Sequence, residues 1–240
     1  MIDWSLLLWR RSWTINIGRL ILPICFALFC VDASAKPSWP GISTLDSEPG
    51  YLRTWPTGMS TEHAEGRARA WLAEAETGVS QSMARFMLAL SLYRQRKYDQ
   101  AVPHFLAAET DLVNKDFAVF FAAESLFQTQ DYAATLKAVN RLIRHYPHSV
   151  WIHRAQVRRA DCYFALGQYA RAIKGYQAIV NTYPDYPQPI SIRMCLAQAY
   201  ERMDKLTSAA NWYYDALLKF PGDPIINQVK YALSDLKARG

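Results

Sequence analysis

The chain has 240 residues, with 27 Lys and Arg against 21 Asp and Glu, a formal net charge of +6. Hydrophobic residues make up 51% and charged residues 20%, a globular balance that excludes a mainly disordered polymer. Twelve Pro and ten Gly exclude collagen-like and low-complexity classes, and the mild basicity falls far short of a nucleic-acid-binding tail.

The first 35 residues read as an export signal. Arg10, Arg11 and Arg19 precede an uncharged apolar run from Leu20 to Val31, and Ala33-Ser34-Ala35 supplies a small-x-small ending. Those are the n-region, h-region and cleavage site of a secretory signal peptide, with cleavage expected after Ala35. The run is short for ~30 Å of hydrocarbon and Pro23 interrupts it, although Leu6 to Trp9 could lengthen it into an uncleaved anchor. A periplasmic or secreted location follows, with a membrane-anchored one as the competing reading. Cleavage would leave Cys162 and Cys195, both inside expected helices, as buried free thiols or one disulfide.

Residues 36–58 hold four Pro and three Gly, a density that forbids regular structure and marks a linker. Trp39, Tyr51 and Trp55 interrupt it. Residues 59–81 then carry an Ala-, Glu- and Arg-rich helix from Thr61 to about Glu76, stopped by Gly78.

From residue 82 the chain repeats itself. Tyr98, Tyr132, Tyr169 and Leu206 follow the polar pairs Arg96-Lys97, Gln130-Asp131, Gly167-Gln168 and Asp204-Lys205, at spacings of 34, 37 and 37 residues. Nine residues before each sits Ala89, Ala123, Ala160 or Ala197; seven after comes Phe105, Val139, Tyr176 or Tyr213. Three units close with Tyr146-Pro147, Tyr183-Pro184 and Phe220-Pro221. Small residues at fixed places let two helices approach, aromatics fill the space between them, and Pro ends the second helix. No such unit can bury its apolar face alone, so neighbours must stack.

This pattern resembles the tetratricopeptide repeat (TPR) family over 82–240. The resemblance implies an all-α, right-handed α-α solenoid of about four repeats, with an N-terminal helix and a C-terminal capping helix. The units fall at about 82–115, 116–149, 153–186 and 190–223, with the cap at 225–238. Val113 stands where the first closing Pro belongs, and Arg159 stands at a core-type position, where it must snorkel outward or pair with Glu124 or Asp161. Together with the export signal, the turn sequences at Tyr146-Pro147-His148-Ser149 and Tyr183-Pro184-Asp185-Tyr186 are similar to those of TPR scaffold proteins of Gram-negative envelopes.

No Gly-rich phosphate loop, HExxH, GxSxG or CxxC is present, so no enzyme activity, cofactor or metal is expected. His145, His148 and His153 flank a Pro turn without a nearby Cys or carboxylate, which favours a solvated turn over a zinc site. Arg141, Arg144, Arg154 and Arg158 surround them, a candidate basic patch for an anionic envelope partner. The competing reading is an ordinary charged surface.

In TPR proteins the first helix of each unit lines a concave groove. The resemblance places Phe86 and Tyr93 of unit 1, Phe117, Phe120, Glu124 and Phe127 of unit 2, and Asp161 and Phe164 of unit 3 on that face. The same correspondence puts Gln198, Glu201 and Arg202 of unit 4 there. The Lys/Asn set with which chaperone-binding relatives clamp a terminal carboxylate is missing. An open strip of so many rings would exceed what monomers expose. It therefore calls for a partner's helix or peptide, for residues 36–76 of the chain itself, or for plain internal packing. The expected function is an exported scaffold or adaptor for protein–protein interactions in an envelope complex. The alternative is a helical accessory domain or subunit of a peptidoglycan-active enzyme, similar to the solenoids of some lytic transglycosylases.

Overall fold

The computed structural model describes residues 60–76, 78–112, 114–183 and 189–239, so the signal and linker readings lie outside it. Among the described residues the chain is all helix, with no strand. The helices are α1 (Thr61–Glu74), α2 (Val79–Arg94), α3 (Tyr98–Ala108), α4 (Lys115–Gln128), α5 (Tyr132–His145), α6 (Ile152–Ala165), α7 (Tyr169–Thr182), α8 (Pro189–Glu201), α9 (Leu206–Lys219) and α10 (Ile226–Arg239).

Each helix packs on the next in sequence, so α2–α3, α4–α5, α6–α7 and α8–α9 form four stacked hairpins between α1 and α10. The first helices of neighbouring hairpins also touch directly, α2 with α4 and α4 with α6. They form the inner layer of the stack. The two layers differ in pattern for that reason. Eleven residues of α2 and ten of α4 are buried, on all sides of the helix. In the outer α5 only Thr135, Ala138, Val139 and Leu142 are buried, a single stripe at helical spacing.

One turn is used four times. Arg96, Gln130, Gly167 and Asp204 all have positive φ, between 56° and 71°. In each case the next residue's N–H reaches five residues back, as in Lys97 to the Leu92 carbonyl and Asp131 to the Leu126 carbonyl. The positive-φ residue itself donates to the carbonyl three back, as Gln130 does to Phe127. This is the Schellman arrangement, which satisfies the last carbonyls of the first helix. Only the third hairpin places Gly at the left-handed position, so three turns carry a side chain there at a steric cost.

The second helices end alike. Tyr146, Tyr183 and Phe220 adopt φ near −130° (−129°, −129° and −132°), and each is followed by Pro, which disfavours the helical region for the residue before it. The first hairpin lacks that Pro, and α3 is the shortest helix described, at 11 residues. Inside the third hairpin, α6 and α7 approach so closely that a Cβ on Gly175 would lie 2.9 Å from Ala160 Cβ. The repeated small residue at position 160 makes that approach possible.

The N-terminal helix is tied down by one carboxylate. Glu65 pairs with Arg69 at 2.7 Å and accepts from Gln95 at 2.8 Å and Lys97 at 3.1 Å across the α2–α3 turn. Burial pushes its pKa up, but hydrogen bonds from Arg69, Gln95 and Lys97 prevail and hold it at about 2. Ser60 caps the helix by accepting from the His63 N–H, and Trp71 and Leu72 pack against the aromatic core.

Candidate functional site

The inner-face residues of the first two hairpins are closed off. Phe86, Tyr93, Phe117, Phe120 and Phe127 are all buried, and the described rings around them account for much of that. Phe86 meets Phe105 and Phe121 edge-on at 5.7 and 6.3 Å. Tyr93 meets Tyr98 and Phe121, both at 5.4 Å. Phe120 stacks on Trp151 at 4.3 Å and 10°, with Phe117 edge-on to the same indole at 5.2 Å. Internal packing therefore describes this strip better than an open groove does. The chief filler is Trp151, the residue before α6, whose Nε1 is buried without a hydrogen-bond partner. Sequence reasoning missed it because Trp151 precedes the repeat register and has no counterpart in the other units.

Between the second and third hairpins lies a buried charge network. Arg158 donates to both oxygens of Glu124, at 2.7 Å each, and to Asp161 at 3.0 Å. Its guanidinium lies 4.0 Å from the centre of the Phe127 ring. Asp161 accepts in turn from the Tyr176 hydroxyl at 2.7 Å. Glu124 lies on α4 and Arg158 on α6, so the fork joins adjacent inner helices with fixed geometry. Burial pushes the Asp161 carboxyl above its usual range, against the opposing pull of Arg158 and the Tyr176 hydroxyl. Burial opposes the charge on Arg158, but Glu124 and Asp161 outweigh it and hold the guanidinium protonated. Tyr176 is raised well above its usual value by burial and by Asp161.

This network removes one of the two alternatives for Arg159, pairing with Glu124 or Asp161, and the packing around it breaks up the expected basic patch. The acid-paired arginine is Arg158, whereas its neighbour Arg159 is only half-buried. The basic patch does not form as one surface either. Arg154 is buried over the Trp151 ring at 5.3 Å, Arg158 is enclosed by its acids, and Arg141 pairs with Glu109 at 2.7 Å; Arg144 is exposed. Arg154 and Arg158 do share a face, but it points inward. Their spacing fixed a shared face without fixing its direction. Of the three histidines, His145 and His148 are exposed, and His153 sits edge-on to Tyr183 at 4.0 Å. Burial lowers the His153 pKa. Among the described residues no group of three His, Cys, Asp or Glu could hold a metal ion. Cys162 and Cys195 are buried, with the Cys162 thiol pushed up by burial.

In the third and fourth hairpins exposure along the inner face is mixed, with Asp161 and Met194 buried. Phe164 is half-buried against Tyr169, and Ala165, Gln198 and Glu201 are half-buried while Arg202 is exposed. Glu201 is held by the Tyr213 hydroxyl at 2.6 Å. No described helix is long and apolar enough to cross a membrane.

Family models for the tetratricopeptide repeat match residues 86–150 and 154–186. The chain is a TPR protein. Among solved structures this TPR chain is similar to a tetratricopeptide repeat protein from Parabacteroides merdae ATCC 43184, at 15% identity and TM-score 0.63, covering 74% of this chain and 67% of that one. It is also similar to MamA from Desulfovibrio magneticus RS-1, at 18% identity and TM-score 0.59, covering 69% and 88%. At such identities the likeness is one of fold. No curated protein matches the sequence. The TPR solenoid is a fold that presents surfaces to protein partners, and the chain is read as an interaction scaffold on that basis.

Proposed function

We propose that this TPR protein is an exported, non-catalytic scaffold that holds a protein or peptide partner in a bacterial envelope complex. The partner would enter the inner face from its C-terminal half. The observation that carries this reading is the change along the inner layer. Phe117, Phe120, Glu124 and Phe127 are buried, whereas Phe164, Gln198, Glu201 and Arg202 keep contact with solvent. A surface with one half-exposed ring, one amide and two charges of opposite sign suits an extended or helical peptide with mixed polar and apolar groups. Export rests on the basic, apolar and small-residue pattern of residues 1–35.

The test is site-specific photocrosslinking from Gln198 in intact cells, with Leu218 on the outer layer as the control position. A protein captured from Gln198 and not from Leu218 supports the inner-face reading; equal capture, or none, removes it. The mass of the mature N-terminus tests export separately. A chain beginning at Lys36 supports it, and a retained Met1 removes it.

A further inference from the structure

The first and fourth hairpins carry arginine at the same repeat position, and only one of the two has its acid. Arg193 in α8 donates to Asp215 at 2.6 Å and to the Pro189 carbonyl at 3.0 Å, and it lies 4.9 Å from the centre of the Phe220 ring. Arg85 occupies that position in α2, being 108 residues earlier in the chain. The residue corresponding to Asp215 is Ala107. Among the described residues no carboxylate pairs with Arg85, and its Nε is buried without a hydrogen-bond partner. Arg85 as a whole is half-buried, but its buried Nε–H left unmade is costly, and native structures supply a partner for nearly all such groups.

The charges of Arg85 and of Arg69 both reach His104. His104 lies on α3 one turn before Ala107, half-buried, and Arg69 comes from α1. Burial, then the nearby Arg69 and Arg85, depress the His104 pKa, and no carboxylate acts on it in the opposite direction. Arg69 is partly neutralised by Glu65; Arg85 is not.

We propose that Arg85, flanked by Arg69 and His104 at the α1–α2–α3 junction, binds a carboxylate supplied from outside the chain. That group takes the place held in the fourth hairpin by Asp215. A carboxylate accepts the planar guanidinium fork as Asp215 does. The site lies apart from the proposed inner-face surface, so it stands or falls independently of that reading.

The probes are acetate and an acidic peptide of four glutamates with blocked ends, titrated into the full chain by calorimetry. Three proteins are compared: wild type, Arg85→Met and Ala107→Asp. Arg85→Met should weaken binding by about tenfold or more, the usual worth of a hydrogen-bonded charge pair. Ala107→Asp should also abolish it, because the new side chain fills the site from within, and it should raise the thermal midpoint. Binding of the peptide alone identifies a partner segment as the source, and binding of acetate as well identifies a small free carboxylate; either supports the site. Wild-type binding no tighter than that of Arg85→Met overturns the proposal, as does Ala107→Asp that binds like wild type.

Discussion

The first two hairpins and the last two follow one repeat pattern, yet their inner faces end in different states. In the first pair, rings on α2 and α4 interlock with Phe105 of α3 and with Trp151 into one continuous core. In the last pair the buried residues divide into two smaller clusters, centred on Tyr176 and on Tyr213. Leu218 on outer α9 and Tyr231 on the capping helix α10 stand 80% and 77% exposed. The lesson is that a repeat position fixes direction, while the size of the side chain and of its neighbour decides whether the position remains a surface. Phe120 points to the inner face and is sealed by Trp151; Gln198 points the same way and has no such lid among the described residues.

The largest test of that contrast is truncation. Phe120→Ala should cost about 3–5 kcal/mol in denaturant unfolding, the usual price for a buried ring, whereas Gln198→Ala should stay within about 0.5 kcal/mol. Equal small losses at both sites would mean that the aromatic strip is a surface after all.

The charge network between the halves gives an effect of similar size. Glu124→Gln leaves Arg158 buried with only Asp161 to balance it, and unfolding should show a loss of about 3–5 kcal/mol. The triple variant Glu124→Leu, Arg158→Met, Asp161→Asn should recover much of that, since no charge is then left buried and an amide at 161 still accepts from the Tyr176 hydroxyl. Lack of recovery would point to a function for the network beyond joining the second and third hairpins.

Smaller shifts are expected at the packing glycine of the third hairpin and at the left-handed turn of the second. Gly175→Ala should destabilise by about 1–2 kcal/mol, because overpacking against Ala160 exceeds the gain in helix propensity. Gln130→Gly should stabilise by about 0.5–1 kcal/mol by relieving the left-handed residue of the turn.

The smallest effect is on the N-terminal helix. Glu65 has its pKa depressed to about 2 from 4.5, so it contributes stability that is full above about pH 4.5 and is lost as pH falls towards 2. Amide exchange in α1 should therefore be faster relative to α4 at about pH 3 than at about pH 6. Glu65→Gln should remove that difference.

Much of this was legible in the residues. The spacing of Tyr98, Tyr132, Tyr169 and Leu206, with alanines nine before, implies paired helices by itself, because only a stacked hairpin needs small and large residues at those offsets. The family models and the helices agree with that reading. The left-handed turn was hidden, since Arg96, Gln130 and Asp204 stand where glycine would have announced it.

What the sequence by itself determined was the local geometry: helix, turn, helix, and which residues share a stripe. What only the tertiary structure decided was which neighbour each stripe meets. The repeat pattern marks Arg159 as the core-type position, and the placement of Glu124 on the neighbouring inner helix selects Arg158 for burial instead. Arg85 and Arg193 hold equivalent positions, and their difference lies in Ala107 and Asp215 on the facing helix. Helical spacing is a one-dimensional property, whereas burial and charge compensation depend on side chains that converge from separate helices.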